Sequence, residues 1–239
     1  SFTLNANRGI SLGASNGTLN TDPSTTLTYN GIAAGTGSLI KTGTGTLTLG
    51  GSNTYTGTTT VSTGTLLVNG SLANGAAATD VTVSNGATLG GTGTINGTVT
   101  NNGNTSPGNS PGILNTGDYT FGNSSTYIAE IGGNTPGNTS SNHDQLNVTG
   151  TVTIGTGVTL SLSSFNSYTP LLRDSYTLIN NDGTDAISGE FNGFADGTSI
   201  SNFLGSGLTA IVDYQGGDGN DFVIFIPSRT LDASLSGGN

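Results

Sequence analysis

The stretch 41-KTGTGTLTLGGSNTYTGTTTVSTGTLLVNG-70 decides how this chain is read. It holds a single charge, Lys41, a single aromatic, Tyr55, and nothing that could run a reaction. What it does hold is alternation: T-L-T-L at 46–49, T-T-T-V at 58–61 and T-L-L-V at 65–68, each bounded by Gly, Ser or Asn. Apolar residues at period two between turn residues predict short strands with one face buried. Threonine suits such a strand, because its β-branch favours pleated backbone and its hydroxyl tolerates water.

The same signal runs outward in both directions, through "FTL" at 2–4, "TLTY" at 26–29, "VTV" at 81–83, "TVTI" at 151–154 and "VTLSL" at 158–162. No window keeps a 3.6-residue period, and Thr and Gly both disfavour helix interiors, so the chain reads as all-β. Spacing then narrows the architecture. "GTLTL" begins at Gly45, "GTLLV" at Gly64 and "GATLG" at Gly86, a recurrence near twenty residues. Units of that length, each with two or three short strands, predict a coil stacked on itself along an axis, a parallel β-helix or β-solenoid. A β-sandwich is the competing reading, and it needs longer strands and antiparallel hairpins.

Composition sets the remaining bounds. Only 31% of the 239 residues are hydrophobic and 8% charged, with 41 glycines, which by itself would suit a disordered chain. The regular placement of the apolar residues and the presence of only 6 prolines argue for order instead. With no Cys, Met or Trp, the core has to be thin and built from Leu, Val and Ile, without disulfides or thiolate metal sites. No apolar run is long enough for a membrane-spanning helix, and no charged-then-apolar leader is seen. The net charge is −10, and up to Gly117 the charged side chains are Arg8, Asp22, Lys41 and Asp80, which cancel. Four scattered basic residues make no footprint for nucleic acid or for an anionic membrane surface.

Residues 37–70 resemble the autotransporter-associated β-strand repeat, also called the passenger-associated transport repeat. The family pattern G-x-L-x-K-x-G-x-G-T-L-x-L-x-G-x-N-x-Y-x-G-x-T-x-V-x-x-G-T-L is met by Gly37, Leu39, Lys41, Gly43, Gly45, Thr46, Leu47, Leu49, Asn53, Tyr55, Gly57, Thr59, Val61, Gly64, Thr65 and Leu66. "NRGISLG" and "TLTYNGIAAGTGSLIKTG" are similar to segments that precede such repeats. "SPGNSPGIL", "DQLNVTGTVTIG", "YTLINNDGTDAISGEF" and "YQGGDGNDFVI" are similar to segments that close such passengers. The resemblance implies a right-handed β-helix in a secreted or surface-attached bacterial protein. Autotransporter members of the family carry a C-terminal membrane barrel, where this sequence has "PSRTLDASLSGGN".

The pattern changes near Ser163, where aromatics and acids concentrate and strands lengthen, as in "DFVIFI". The expected organisation is a β-helix over 1–162, a C-terminal β cap over 163–227 and a polar tail over 228–239.

Candidate chemistry is sparse. His143, Asp144 and Glu130 are the one place where a base could meet carboxylates, but "GGNTPGNTSSNHDQ" reads as a solvated surface loop. "GGDGNDFVI" at 216–224 fits the calcium nonapeptide G-G-x-G-x-D-x-U-x, with Asp213, Asp218 and Asp221 as candidate ligands. That site works by stacking of repeats, so a single copy reads as an acidic turn, and calcium is the one cofactor candidate. Asp182, Asp185 and Glu190 lack EF-hand spacing. The Asn-x-Ser/Thr acceptors are what a chain so rich in these residues generates by chance.

Three functions are therefore weighed. The first is a non-catalytic extracellular stalk or filament subunit, self-associating head to tail through Phe2 and Leu4 at one end and Leu231 and Leu235 in the tail. The second is a surface adhesin or glycan-binding module, with Tyr29, Tyr55, Tyr119 and Tyr127 as a sugar-stacking row on the outer face. The third, a polysaccharide-active enzyme, has the weakest basis, because no carboxylate cluster can form before Asp118.

Overall fold

The computed structural model describes residues 1–73 and 81–228, and it is a three-faced β-solenoid. Each coil contributes one short strand to each face. Coil one is Phe2–Leu4, Ile10–Leu12 and Gly17–Asn20, and coil two is Thr26–Tyr29, Ala33–Gly35 and Leu39–Thr42. Coil three, Thr46–Leu49, Ser52–Asn53 and Thr59–Val61, repeats that order, as do the coils opening at Thr65, Thr88, Asn104 and Thr126. The first face gathers eight strands and the third gathers seven, every neighbour parallel and offset by one coil. This is the stacked coil that the near-twenty-residue recurrence predicts, and it excludes the sandwich.

Register shows why the alternation works. On the first face Leu27, Leu47, Leu66 and Leu89 stand directly above one another, pointing inward. On the third face Leu39, Thr59, Val81, Val99, Tyr119 and Val152 form one inward rank. The alternate residues of that face, Thr60, Thr82, Thr100, Thr120 and Thr153, form an outward rank of hydroxyls. Because successive side chains of a strand take opposite faces, every Thr-x-Thr or Val-Thr-Val triplet sorts itself between core and water.

The corners need glycine where coils touch. A Cβ on Gly70 would lie 2.2 Å from the Gly51 carbonyl below it. Gly64 sits at φ +70°, and a Cβ there would come within 2.4 Å of two carbonyls. Neither position admits a side chain without moving backbone.

Parallel stacking persists through Thr159–Ser164 on the first face and Ser175–Asn181 on the second. Beyond them the second-face sheet turns antiparallel, adding Asp221–Phe225, Ala210–Gly216 and Ser199–Ile200. Aromatic rings fill the space under this extension. Tyr119, Phe121, Phe191, Phe222 and Tyr214 form a chain of ring contacts with centroids 4.7 to 5.7 Å apart. That chain links the sixth coil to the antiparallel strands.

Candidate functional site

The side chains with most chemistry are inside the solenoid. Lys41 is fully buried on an inward rank directly below Val61. Among the described residues no carboxylate meets it. Its Nζ donates to the carbonyls of Thr42 at 2.9 Å, Gly43 at 2.8 Å and Thr63 at 3.0 Å, one for each ammonium proton. Burial lowers its pKa. The ammonium thereby ties the corner after coil two to the corner after coil three, and the glycine at position 64 makes room for it: a Cβ there would stand 2.9 Å from Nζ.

Asn53 does the same at another corner. Its Oδ1 accepts from Ala33 N–H at 3.0 Å, and its Nδ2 donates to the carbonyls of Gly51 and Ser71 at 2.9 and 3.1 Å. One amide thus reaches the coil below, its own coil and the coil above. Asn101 ties its own corner to coil six alone, accepting from Gly103 N–H at 2.8 Å while its Nδ2 faces the Asn104 carbonyl and the Thr105 and Tyr119 hydroxyls. Lys41 and Asn53 both occupy defined positions of the repeat pattern quoted above, but nothing in that pattern says that they point inward.

The tyrosine row is overturned. Tyr29, Tyr55, Tyr119 and Tyr127 are each at most 1% exposed, so none can stack on a sugar at the surface. Each hydroxyl has an internal partner instead: Tyr29 donates to the Arg8 and Ile32 carbonyls, Tyr55 pairs with Thr59 Oγ1 at 2.6 Å, Tyr119 pairs with Thr105 Oγ1 at 2.6 Å, and Tyr127 donates to the Leu178 carbonyl at 2.6 Å. The tyrosines therefore serve as core with an internal polar tip. Burial pushes Tyr55 and Tyr119 up to about 12 and Tyr127 well above its ordinary value.

The loop before His143 is exposed at Asn134, Thr135 and 138–141, as a surface loop should be, but His143 and Asp144 themselves are not solvated. His143 is 1% exposed and Asp144 is fully buried. The insertion 132–144 folds back on its own strand, with Ile131 bridged to His143 and Asp144 N–H donating to the Glu130 carbonyl at 2.9 Å. Glu130 is half-buried beside them. The His143 ring is held by its Nδ1 against the Gly133 carbonyl and lies edge-on to Tyr176. It therefore faces protein on its described sides and offers no base to an outside substrate.

The acidic turn keeps its carboxylates occupied with backbone. Asp221 is 4% exposed and accepts from Asn181 N–H at 2.9 Å, and Asp213 accepts from Gln215 N–H at 2.8 Å. Asp218 is exposed on the turn between them. Among the described residues no group of three or more His, Asp or Glu side chains is placed to hold a metal ion.

A groove of about 530 Å³ lies between the turn after Ile154 and residues 189–198. Glu190 is its single carboxylate, accepting from Asp196 N–H at 3.1 Å, and no second acid or base lines the groove. Acid–base chemistry of the glycosidase kind needs two. Of the end residues, Phe2 is 63% exposed on the edge strand of coil one and Leu4 is half-buried beside it. Leu231 and Leu235 lie outside the described residues. No helix among the described residues is long and apolar enough to cross a membrane.

Comparison with known proteins agrees with this geometry. The family model described as "Passenger-associated-transport-repeat" matches residues 39–68. A 61-residue segment is 49% identical to "Adhesin BmaC autotransporter" from Brucella suis biovar 1 (strain 1330). That segment is 25% of this chain and 2% of the relative, so the match spans a small part of a far longer protein. Residues 39–68 run from the last strand of coil two to the first strand of coil four, and they are a passenger-associated transport repeat built into a β-solenoid.

Proposed function

We propose that this chain is a non-catalytic passenger segment of a surface adhesin, exported by the autotransporter route and displayed outside a bacterial cell. One observation carries the reading: the transport repeat at 39–68 is stacked in register within the solenoid, with its one lysine, Lys41, and its one tyrosine, Tyr55, turned inward. Each added coil extends such a rod by about 4.8 Å with no hinge, which suits a stalk that holds contacts away from a membrane. Adhesive contact would fall on the outward ranks of Thr, Ser and Asn, because the inward side chains are already committed to the core.

The test coats beads with the full chain and measures their retention on host epithelial cells and on a glycan array, against albumin-coated beads. Retention above the control, reduced by Thr82→Lys with Thr100→Lys on the exposed third face, supports the reading. Beads indistinguishable from the control on both surfaces overturn it.

A further inference from the structure

Two turns meet where the last parallel strand of the second face hands over to the antiparallel extension. Asn181 ends the strand Ser175–Asn181 and opens the turn 182–185, while Asn220 closes the turn that leads into the strand Asp221–Phe225. The Asn181 N–H ties the turns together by donating to Asp221 Oδ1 at 2.9 Å. Both asparagine side chains reach into the turn 182–185. Asn181 Nδ2 donates to the Asp185 carbonyl at 2.7 Å, and Asn220 Nδ2 donates to the same carbonyl at 3.0 Å and to the Asp182 carbonyl at 3.2 Å. The Asp185 carboxyl group curls over this turn, its Oδ1 3.8 Å from where a Cβ on Gly183 would stand.

These bonds fix the orientation of each amide. A flipped asparagine would set its oxygen against a carbonyl oxygen, so the atoms left over are the oxygens, which can only accept. Asn181 is fully buried and Asn220 is 4% exposed, yet Oδ1 of each has no hydrogen-bond partner. Asp185 Oδ2 is buried without a partner as well. Buried polar atoms are normally paired, and here three acceptors from residues that converge on one carbonyl have no donor directed at them. The surroundings are acidic. Asp182, Asp185, Asp218 and Asp221 all belong to the segments 181–190 and 216–221, which contain no Lys, Arg or His.

We propose that the two turns form a calcium-binding clasp, with Asn181 Oδ1, Asp185 Oδ2 and Asn220 Oδ1 as its protein ligands. Solvent completes the shell from the side of Asp182, Gly183 and Thr184, which are exposed. Calcium takes about six to eight hard oxygen ligands in flexible geometry, side-chain amides and carboxylates among them, whereas magnesium demands a near-octahedral shell and sheds water reluctantly. A single carboxylate in the ligand set places the affinity at the weak end, a Kd of about 1 mM, which is the range of extracellular modules. The ion ties the end of the parallel stack to the antiparallel extension. Its ligands differ from those the nonapeptide motif suggests: Asp213 and Asp221 are engaged by backbone N–H groups, and that motif contributes Asn220 instead.

Amide hydrogen exchange of the full chain, in EDTA and in about 10 mM calcium chloride at matched ionic strength, tests this. With a Kd of about 1 mM, opening of the clasp is suppressed about 10-fold. Peptides over 178–186 and 214–222 gain that protection, while a peptide over 59–68 changes by less than about twofold. Magnesium at the same concentration gives less than about twofold. Asp185→Asn removes the calcium effect, and Asp218→Asn, on the exposed turn, keeps it. Protection that ignores calcium overturns the clasp, the three oxygens then being satisfied by water. Equal protection from magnesium, equal loss in the two variants, or a folded Asp185→Asn variant that keeps the effect also overturns it, by showing a diffuse acidic patch in place of a coordinated ion. The comparison of calcium with magnesium on the unaltered chain decides even if neither variant folds.

Discussion

Cutting Leu66 back to alanine tests the stacked register directly. Leu66 is fully buried, with Leu47 below and Leu89 above in the same inward rank. Each of those neighbours belongs to a strand paired on both sides, so the walls of the resulting cavity are held apart by ladder hydrogen bonds. The core also lacks methionine, the residue best able to flow into a gap. Little collapse means a cost in the middle to upper range for Leu→Ala, about 3–4 kcal/mol. Leu47→Ala is expected to cost a similar amount. Because the two truncations open one shared cavity, the double variant departs from additivity by about 1 kcal/mol. Leu66→Ala with Leu146→Ala, three coils away and so about 14 Å along the axis, adds within about 0.5 kcal/mol. Urea unfolding followed by far-UV circular dichroism gives all five values, with constant m as the check that the denatured state is unchanged. Strict additivity of Leu47 and Leu66 would refute the reasoning, since side chains that share a rank cannot be energetically independent.

Two further outcomes follow from the polar interior. Asn53→Leu preserves bulk but leaves the Ala33 N–H without its acceptor and removes donors from two carbonyls; a loss of about 2–4 kcal/mol in urea unfolding is expected, and a loss under about 1 kcal/mol would show the amide to be dispensable. In an absorbance titration at 295 nm, Tyr55 and Tyr119 ionise only at about 12, because burial disfavours the phenolate; their contribution to stability is complete below pH 10 and is lost as pH rises beyond it. Release of most of the seven phenols near pH 10 with an unchanged circular dichroism spectrum would place them outside after all.

Legibility in the sequence followed the range of the interaction. The strands at 46–49, 65–68 and 81–83 were readable because alternation is local, and so was the near-twenty-residue recurrence that separates a coil from a sandwich. The fate of Tyr29, Tyr55, Tyr119 and Tyr127 was not. A tyrosine flanked by Thr or Gly fits either side of a strand, and its side is set by one residue of register against the neighbouring coil. The burial of His143 and Asp144, at the end of an otherwise exposed loop, was hidden for a related reason. The loop's Gly, Asn and Ser residues signal a surface turn, and only the N–H groups of Glu130 and of Gly112 in coil six, the latter more than thirty positions away, make a place for a buried carboxylate there.

From sequence alone came the all-β class, the coil length, the transport repeat and the absence of thiol chemistry. Those depend on which residues occur and how often they recur. The tertiary structure decided which polar groups lie inside: Lys41 caged by three carbonyls, Asn53 pinning three coils, and Asp144 held between N–H groups of two coils. The reason is that a buried polar side chain is tolerated only where backbone from separate coils converges to satisfy it, and that convergence exists only once the coils are stacked.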